Sequence, residues 1–213
     1  MTIRRLFVLA AALFVGSMSS AQCDPQWLPG DGFVGVDRDV DAVIVWDPDG
    51  AGPLLPRLVI GGEYSVVGNI LTNSNVAMLD PETDRWVPLG TDLRYAQALA
   101  VLPDGRLVAG GDFDTADGQP AANIAVWNGT RWDQLGDGLD LQVRCLHVTS
   151  NGVLFAGGDF TKSGSATVGR VARWNGSAWV ATPSGPSGSV YALVSDPVGN
   201  LYAGGVFVTA GGV

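Results

Sequence analysis

Basic residues are scarce in this chain. Lys and Arg total 12 against 21 Asp and Glu, giving a net charge of −9 over 213 residues. Phosphate backbones and anionic lipid surfaces are held by clustered basic side chains, so this balance argues against nucleic acid and against membrane-surface partners. Histidine occurs once, as His147, and cysteine twice, as Cys23 and Cys145. Two thiols and one imidazole so far apart in sequence do not make the four-ligand spacing of a zinc site. His147 is the one imidazole base, flanked by apolar Leu146 and Val148, and no G-x-S-x-G elbow offers it a nucleophile. No catalytic residue is therefore assigned. Sustained helical periodicity is missing, as is a Gly-rich loop leading into a helix that could cradle phosphate.

Long apolar runs are also missing, apart from one at the N-terminus. Arg4 and Arg5 precede ten uninterrupted apolar residues, Leu6 to Val15, and Ser19-Ser20-Ala21 supplies small residues for cleavage. Ten residues are too few to span a bilayer, so residues 1–21 are expected to be a signal peptide removed on export. Lipidation of Cys23 would need a small residue before it, and Gln22 stands there. The expected product is residues 22–213, secreted or at the cell surface, not inserted in the membrane, with a net charge of about −11 once both arginines are lost. Export permits a Cys23–Cys145 disulfide, but the spacing leaves the pairing open. The alternative is that Cys145 is a small buried residue on a strand.

What the chain has in plenty is glycine, 30 residues, and its placement is periodic. Gly-Gly doublets begin at Gly61, Gly110, Gly157 and Gly204, at intervals of 49, 47 and 47 residues, in LVIGGEY, LVAGGDF, LFAGGDF and LYAGGVF. Periods of this size mark repeat architectures. The clearest unit reads as four strands: Val143 to Val148, Val153 to Phe160, Gly169 to Trp174 and Ala178 to Thr182. Asn151-Gly152 and Asn175-Gly176 are read as two-residue hairpin turns, and Thr161 to Val168 as a loop. Two glycines inside a strand imply close backbone approach or a bulge. The preceding unit repeats the plan, with WNGTRW at 127–132 matching WNGSAW at 174–179. The first unit joins its last two strands through the longer DPETDR. Units of this kind cannot cover their apolar faces alone and are expected to stack face to face, with Trp86, Trp132 and Trp179 as packing residues.

Doublet, following aromatic and fourth-strand Trp together resemble the kelch-type β-propeller repeat, most closely in LVIGGEY…NVAMLDPETDRWVPL. GGDFT and RWNGSAW are similar to repeats of bacterial secreted propellers and of a fungal cell-surface polarity protein family. The resemblance covers about residues 25 to 213. It departs from the kelch pattern at Leu79, Trp127 and Trp174, where a Tyr is usual, and a single histidine does not suit the copper enzymes of similar fold. It implies an all-β propeller of four-stranded antiparallel blades, at about 41–90, 94–137 and 142–184. A lone fourth strand at 25–29 and a half blade at 189–213 add to these, so the ring is expected to be incomplete or open. Open blade edges would invite self-association.

Propellers host lectins, adhesins, scaffolds and some enzymes, so the fold alone does not name a function. Two acidic clusters are candidate calcium ligands: Asp112, Asp114 and Asp117 in one loop, and the run Asp37, Asp39, Asp41. Neither has the EF-hand spacing, and no other cofactor is expected. GGDF at blade spacing, without the glutamate, does not match the cyclic-dinucleotide signature GGDEF. Asn128-Gly129-Thr130 and Asn175-Gly176-Ser177 fit a glycosylation acceptor but are better explained as turns. The expected function is a non-catalytic binding or scaffold module with a protein or glycan ligand. The alternative is a carbohydrate-binding or carbohydrate-processing propeller whose tryptophans and acids stack and hold sugar.

Overall fold

The structure, a computed structural model, describes residues 35–50 and 52–211. The expected signal peptide (1–21), Cys23 and the expected lone strand 25–29 lie outside the described residues. Within them the chain is all β, without a helix.

Three four-stranded antiparallel sheets follow one another. The first contains β1 (Asp39–Trp46), β2 (Arg57–Glu63), β5 (Val76–Asp80) and β6 (Arg85–Pro88), with the small hairpin β3 (Val66–Val67) and β4 (Ile70–Leu71) in its middle connection. The second contains β7 (Ala96–Val101), β8 (Leu107–Gly111), β11 (Ile124–Trp127) and β12 (Trp132–Gln134), with hairpin β9 (Thr115–Ala116) and β10 (Gln119–Pro120). The third contains β13 (Val143–Val148), β14 (Leu154–Gly158), β17 (Val171–Trp174) and β18 (Trp179–Ala181), with hairpin β15 (Lys162–Ser163) and β16 (Ala166–Thr167). A fourth, two-stranded sheet pairs β19 (Ser189–Ser195) with β20 (Leu201–Val206).

The strands fall where hydrophobic alternation places them, and differ at their ends. The third strand of the third sheet starts at Val171 rather than Gly169, because Gly169 takes φ +74° and cannot continue a ladder. The segment 161–168, read as a loop, contains the hairpin β15–β16. Two-residue strands carry too little alternation to stand out in a sequence. The Asn-Gly turns also work differently from the expected two-residue form. Trp127 pairs with Trp132, leaving four residues between strands, and only Gly129 has positive φ. Asn128 acts through its side chain: Oδ1 accepts from the backbone N–H of Thr130 (3.0 Å) and Arg131 (3.1 Å). Asn175 does the same for Ser177 and Ala178. These are Asx turns, in which a side-chain oxygen replaces a backbone acceptor.

The first strands pack side by side in the order β1, β7, β13, β19, so each sheet lies on the next. The joint between the first two sheets holds Trp46, Val59, Val76 and Leu93 with Leu107 and Trp132. The next joint holds Val108, Ile124 and Leu139 with Val143, Leu154, Phe160 and Trp179. Trp132 and Trp179 are buried, and each donates its indole N–H across a joint: Trp132 to the Leu89 carbonyl (2.8 Å), Trp179 to that of Leu135 (3.1 Å). A buried indole needs such an acceptor, and here the acceptor belongs to the preceding sheet.

The Gly-Gly doublets are two separate requirements. A Cβ on the second glycine would strike its own sheet: on Gly62 it meets the Asp39 carbonyl, on Gly111 that of Tyr95, on Gly158 that of Gln142 and on Gly205 that of Ser189. That backbone comes close because the first strand bulges there, between Val40 and Ala42, Ala96 and Ala98, Val143 and Cys145, and Val190 and Ala192. A Cβ on the first glycine would instead strike the next sheet. On Gly61 it lies 2.7 Å from the Ala96 carbonyl oxygen, on Gly110 2.5 Å from Val143 Cγ1, and on Gly157 2.8 Å from Val190 Cγ1, where Cys145 Sγ of its own sheet also comes within 2.7 Å.

Candidate functional site

Each bulge turns one residue out of the strand's alternation at the doublet end of its sheet. These residues are Asp41, Gln97, Arg144 and Tyr191. They occupy one register position in four neighbouring strands, yet they are an acid, an amide, a base and a phenol. The residues that follow the doublets, Glu63, Asp112, Asp159 and Val206, stand beside them. Stacked first strands therefore assemble a polar row along one edge of the sheets.

Arg144 anchors its centre. Nε and Nη2 both reach Asp159 Oδ2, at 2.9 and 2.7 Å, and the guanidinium lies over the Tyr191 ring, 5.0 Å from its centroid. This Arg144 pair holds the Asp159 carboxyl below the ordinary carboxylate value, against the opposing effect of partial burial. Asp159 Oδ1 is buried and has no hydrogen-bond partner among the described residues. Beside Arg144, the Gln142 amide donates to Gln97 Oε1 at 2.6 Å. At the first sheet, Arg38 pairs with Glu63. Glu63 also faces Tyr95, and its carboxylate pushes the Tyr95 phenol up. Tyr95 is half exposed and holds φ +48°, a costly conformation for an aromatic residue. Arg38, Glu63, Asn73, Arg94 and Tyr95 line a cleft of about 290 Å³ at this end of the row. Partial burial, then Asp39 and Glu63, raise the Asp41 carboxyl.

The calcium candidates form no cluster of three ligands among the described residues. Asp112 and Asp114 are exposed. Asp117, between β9 and β10, spends both oxygens on protein donors: Oδ1 accepts from the Thr91 N–H (2.6 Å) and hydroxyl (3.2 Å), Oδ2 from the Trp132 N–H (2.6 Å). Asp37 likewise accepts from the N–H groups of Ser65 and Val66. Among the described residues no three His, Cys, Asp or Glu side chains converge as a metal site.

His147 does meet a hydroxyl: Nε2 lies 2.8 Å from Ser195 Oγ across the joint between β13 and β19. Nucleophilic catalysis would also need an acid to orient the ring, and none bonds His147 among the described residues. The corresponding positions hold Ile44 with Val101, and Ala100 with Val148, in the two preceding joints. The pair thus stands where packing residues stand elsewhere. Cys145 is half-buried and unpaired among the described residues; its Sγ is 3.6 Å from the Gly157 carbonyl oxygen, and burial pushes its thiol up to about 12.

Sequence reasoning missed the asparagine latches. Asn75 and Asn123, each just before a third strand, are buried. Asn75 Oδ1 accepts from the Tyr95 N–H at 2.8 Å, and its amide donates to the Tyr64 carbonyl. Asn123 accepts from the Phe113 N–H at 3.2 Å and donates to the Leu139 carbonyl at 2.8 Å. Both tie the strand after a doublet to the chain entering the next sheet. Their matched spacing, 48 residues, was the available signal. The row was missed because the doublets point to a bulge without saying that it lies in the first strand or which residue it turns out. Neither protein-family models nor curated proteins match this chain.

Proposed function

We propose that the chain is an exported, non-catalytic β-propeller of kelch-like kind, a binding or scaffold module at or outside the cell surface, and that it meets its ligand along the polar row. One observation carries this reading. Positions that pack recur from sheet to sheet, whereas the bulge position is Asp41, Gln97, Arg144 and Tyr191 in turn. Packing asks for a side chain of fitting size and mostly apolar character in each unit; recognition asks for a particular residue once.

A carbohydrate ligand is the second reading. It is favoured by half-exposed Tyr95 and Tyr191 beside carboxylates and Arg144, which could stack a sugar ring and bond its hydroxyls. Trp132 and Trp179 are buried and cannot take part. Two assays test the proposal. Chromogenic ester, glycoside and phosphate-ester substrates should not turn over; turnover that disappears in His147→Ala would overturn the non-catalytic role. A glycan array probed with wild type and Tyr191→Ala separates the ligands: a defined sugar bound only by wild type selects the second reading.

A further inference from the structure

The first glycine of each doublet is a socket, and among the described residues one socket is empty. At Gly61, Gly110 and Gly157 the place of a missing Cβ is crowded by the next sheet's first strand, through Ala96 and Leu99, Val143 and Leu146, and Val190 and Leu193, and at Gly157 also by Cys145 of its own sheet. All three glycines are buried. Gly204 has the same position in β20 but is exposed, and a Cβ there would meet only Ala192, at 3.9 Å. Its neighbour Gly205 is required by the bulge of its own sheet. Nothing in its own sheet requires Gly204. The same face presents Val194, Tyr202 and Val206, 57%, 55% and 67% exposed.

The matching knob also has no partner among the described residues. In β1 the residues at the two knob positions are Val40 and Val43, with Val45 next on the same face; they are 41%, 62% and 64% exposed. One end of the stack thus offers a valine-faced first strand, and the other a glycine socket among apolar residues. Both are exposed in the same molecule, so this chain's own β1 does not fill its own socket. The geometry points to head-to-tail association of copies of this chain, β1 of one molecule on the β19–β20 face of another, continuing the joint already made three times within the chain. The contact is heterologous, so it propagates into rings or filaments rather than stopping at a two-fold dimer. The inference rests on the stacking geometry and not on the ligand proposed for the polar row.

Sedimentation velocity on the purified chain over a range of micromolar concentrations tests it, with two blocking variants. Gly204→Leu fills the socket. Gly204 is outside the left-handed region and its surroundings are open, so the fold and its melting temperature should be kept. Val43→Asp puts a charge on the knob. Each variant alone should associate at least about tenfold more weakly than wild type, whose affinity is read on the usual logarithmic scale. Mixed together, they should form one-to-one dimers, because one keeps a sound socket and the other a sound knob. The inference is overturned if wild type stays monomeric at every concentration, if either variant associates like wild type, or if the mixture forms no dimer. A monomeric wild type destabilised by both variants would mean that the chain closes on itself.

Discussion

At the scale of single residues, what distinguishes this chain is where its polar side chains end their hydrogen bonds. Arg144 and Asp159 are both partly buried, so each depends on the other. Because Arg144 holds the Asp159 carboxyl below its ordinary value, the ion pair stabilises the fold above the ordinary carboxylate range, and that stabilisation is lost as pH falls through the folded value. Arg144→Gln should raise the Asp159 pKa, measurable by carboxyl NMR titration, and flatten the acid limb of stability against pH. An unchanged Asp159 titration would show that the pair is not what holds it. Asp140 belongs with it: partial burial alone would raise its carboxyl, but the N–H donors of Lys162 and Thr161 outweigh burial and lower it. The cross-joint indoles make a second test. Trp179→Phe keeps most of the apolar area and removes the bond to the Leu135 carbonyl, so urea unfolding should show a loss of about 1–2 kcal/mol. Tryptophan spacing made these residues legible as packing positions. The acceptor that each indole reaches was not legible, since it lies more than 40 residues away in sequence.

At the scale of the element, the doublet separates into a glycine for the sheet's own bulge and a glycine for the neighbouring sheet. The two should answer differently to the same substitution. Gly111→Ala places a methyl group on the Tyr95 carbonyl, backbone that cannot swing aside, whereas Gly110→Ala meets the Val143 side chain. Gly111→Ala should be the more damaging, by about 2–3 kcal/mol against about 1–2 kcal/mol for Gly110→Ala, the range of overpacked cores. Gly204→Ala should be nearly neutral. Chemical denaturation of the three variants checks the ranking; equal losses at Gly110 and Gly204 would mean that neighbour packing is not what the first glycine serves. The interval of 47 to 49 residues showed that the doublets mattered and that strands surrounded them. It could not show that two adjacent glycines obey two constraints, nor that Asn128 and Asn175 turn the chain through their side chains. Those facts depend on which atoms face one another once the strand has bulged or the turn has closed.

At the scale of the whole molecule, stability should be graded along the stack. A sheet whose two faces are both covered buries more than one covered on a single face, and in stacked architectures each unit depends mainly on its neighbours. Among the described residues the second and third sheets have neighbours on both sides, whereas the first has none on its β1 face and the fourth has two strands with one face uncovered. The core reflects this: Leu107, Ile124, Leu139, Val143 and Leu154 are fully buried, while β20 is largely exposed along its length. Local opening then costs least where apolar burial is least. Native-state amide exchange should accordingly be fastest in β20, intermediate in β1 and slowest in β8 and β14, each of which is a central strand of its sheet. The order must be measured at low concentration, where the two open faces are free. Raising the concentration should protect β1 and β20 together and leave β8 and β14 unchanged, because association covers only the ends. Uniform exchange across all four sheets would mean that the chain unfolds as one indivisible unit, and the picture of separately supported sheets would fail.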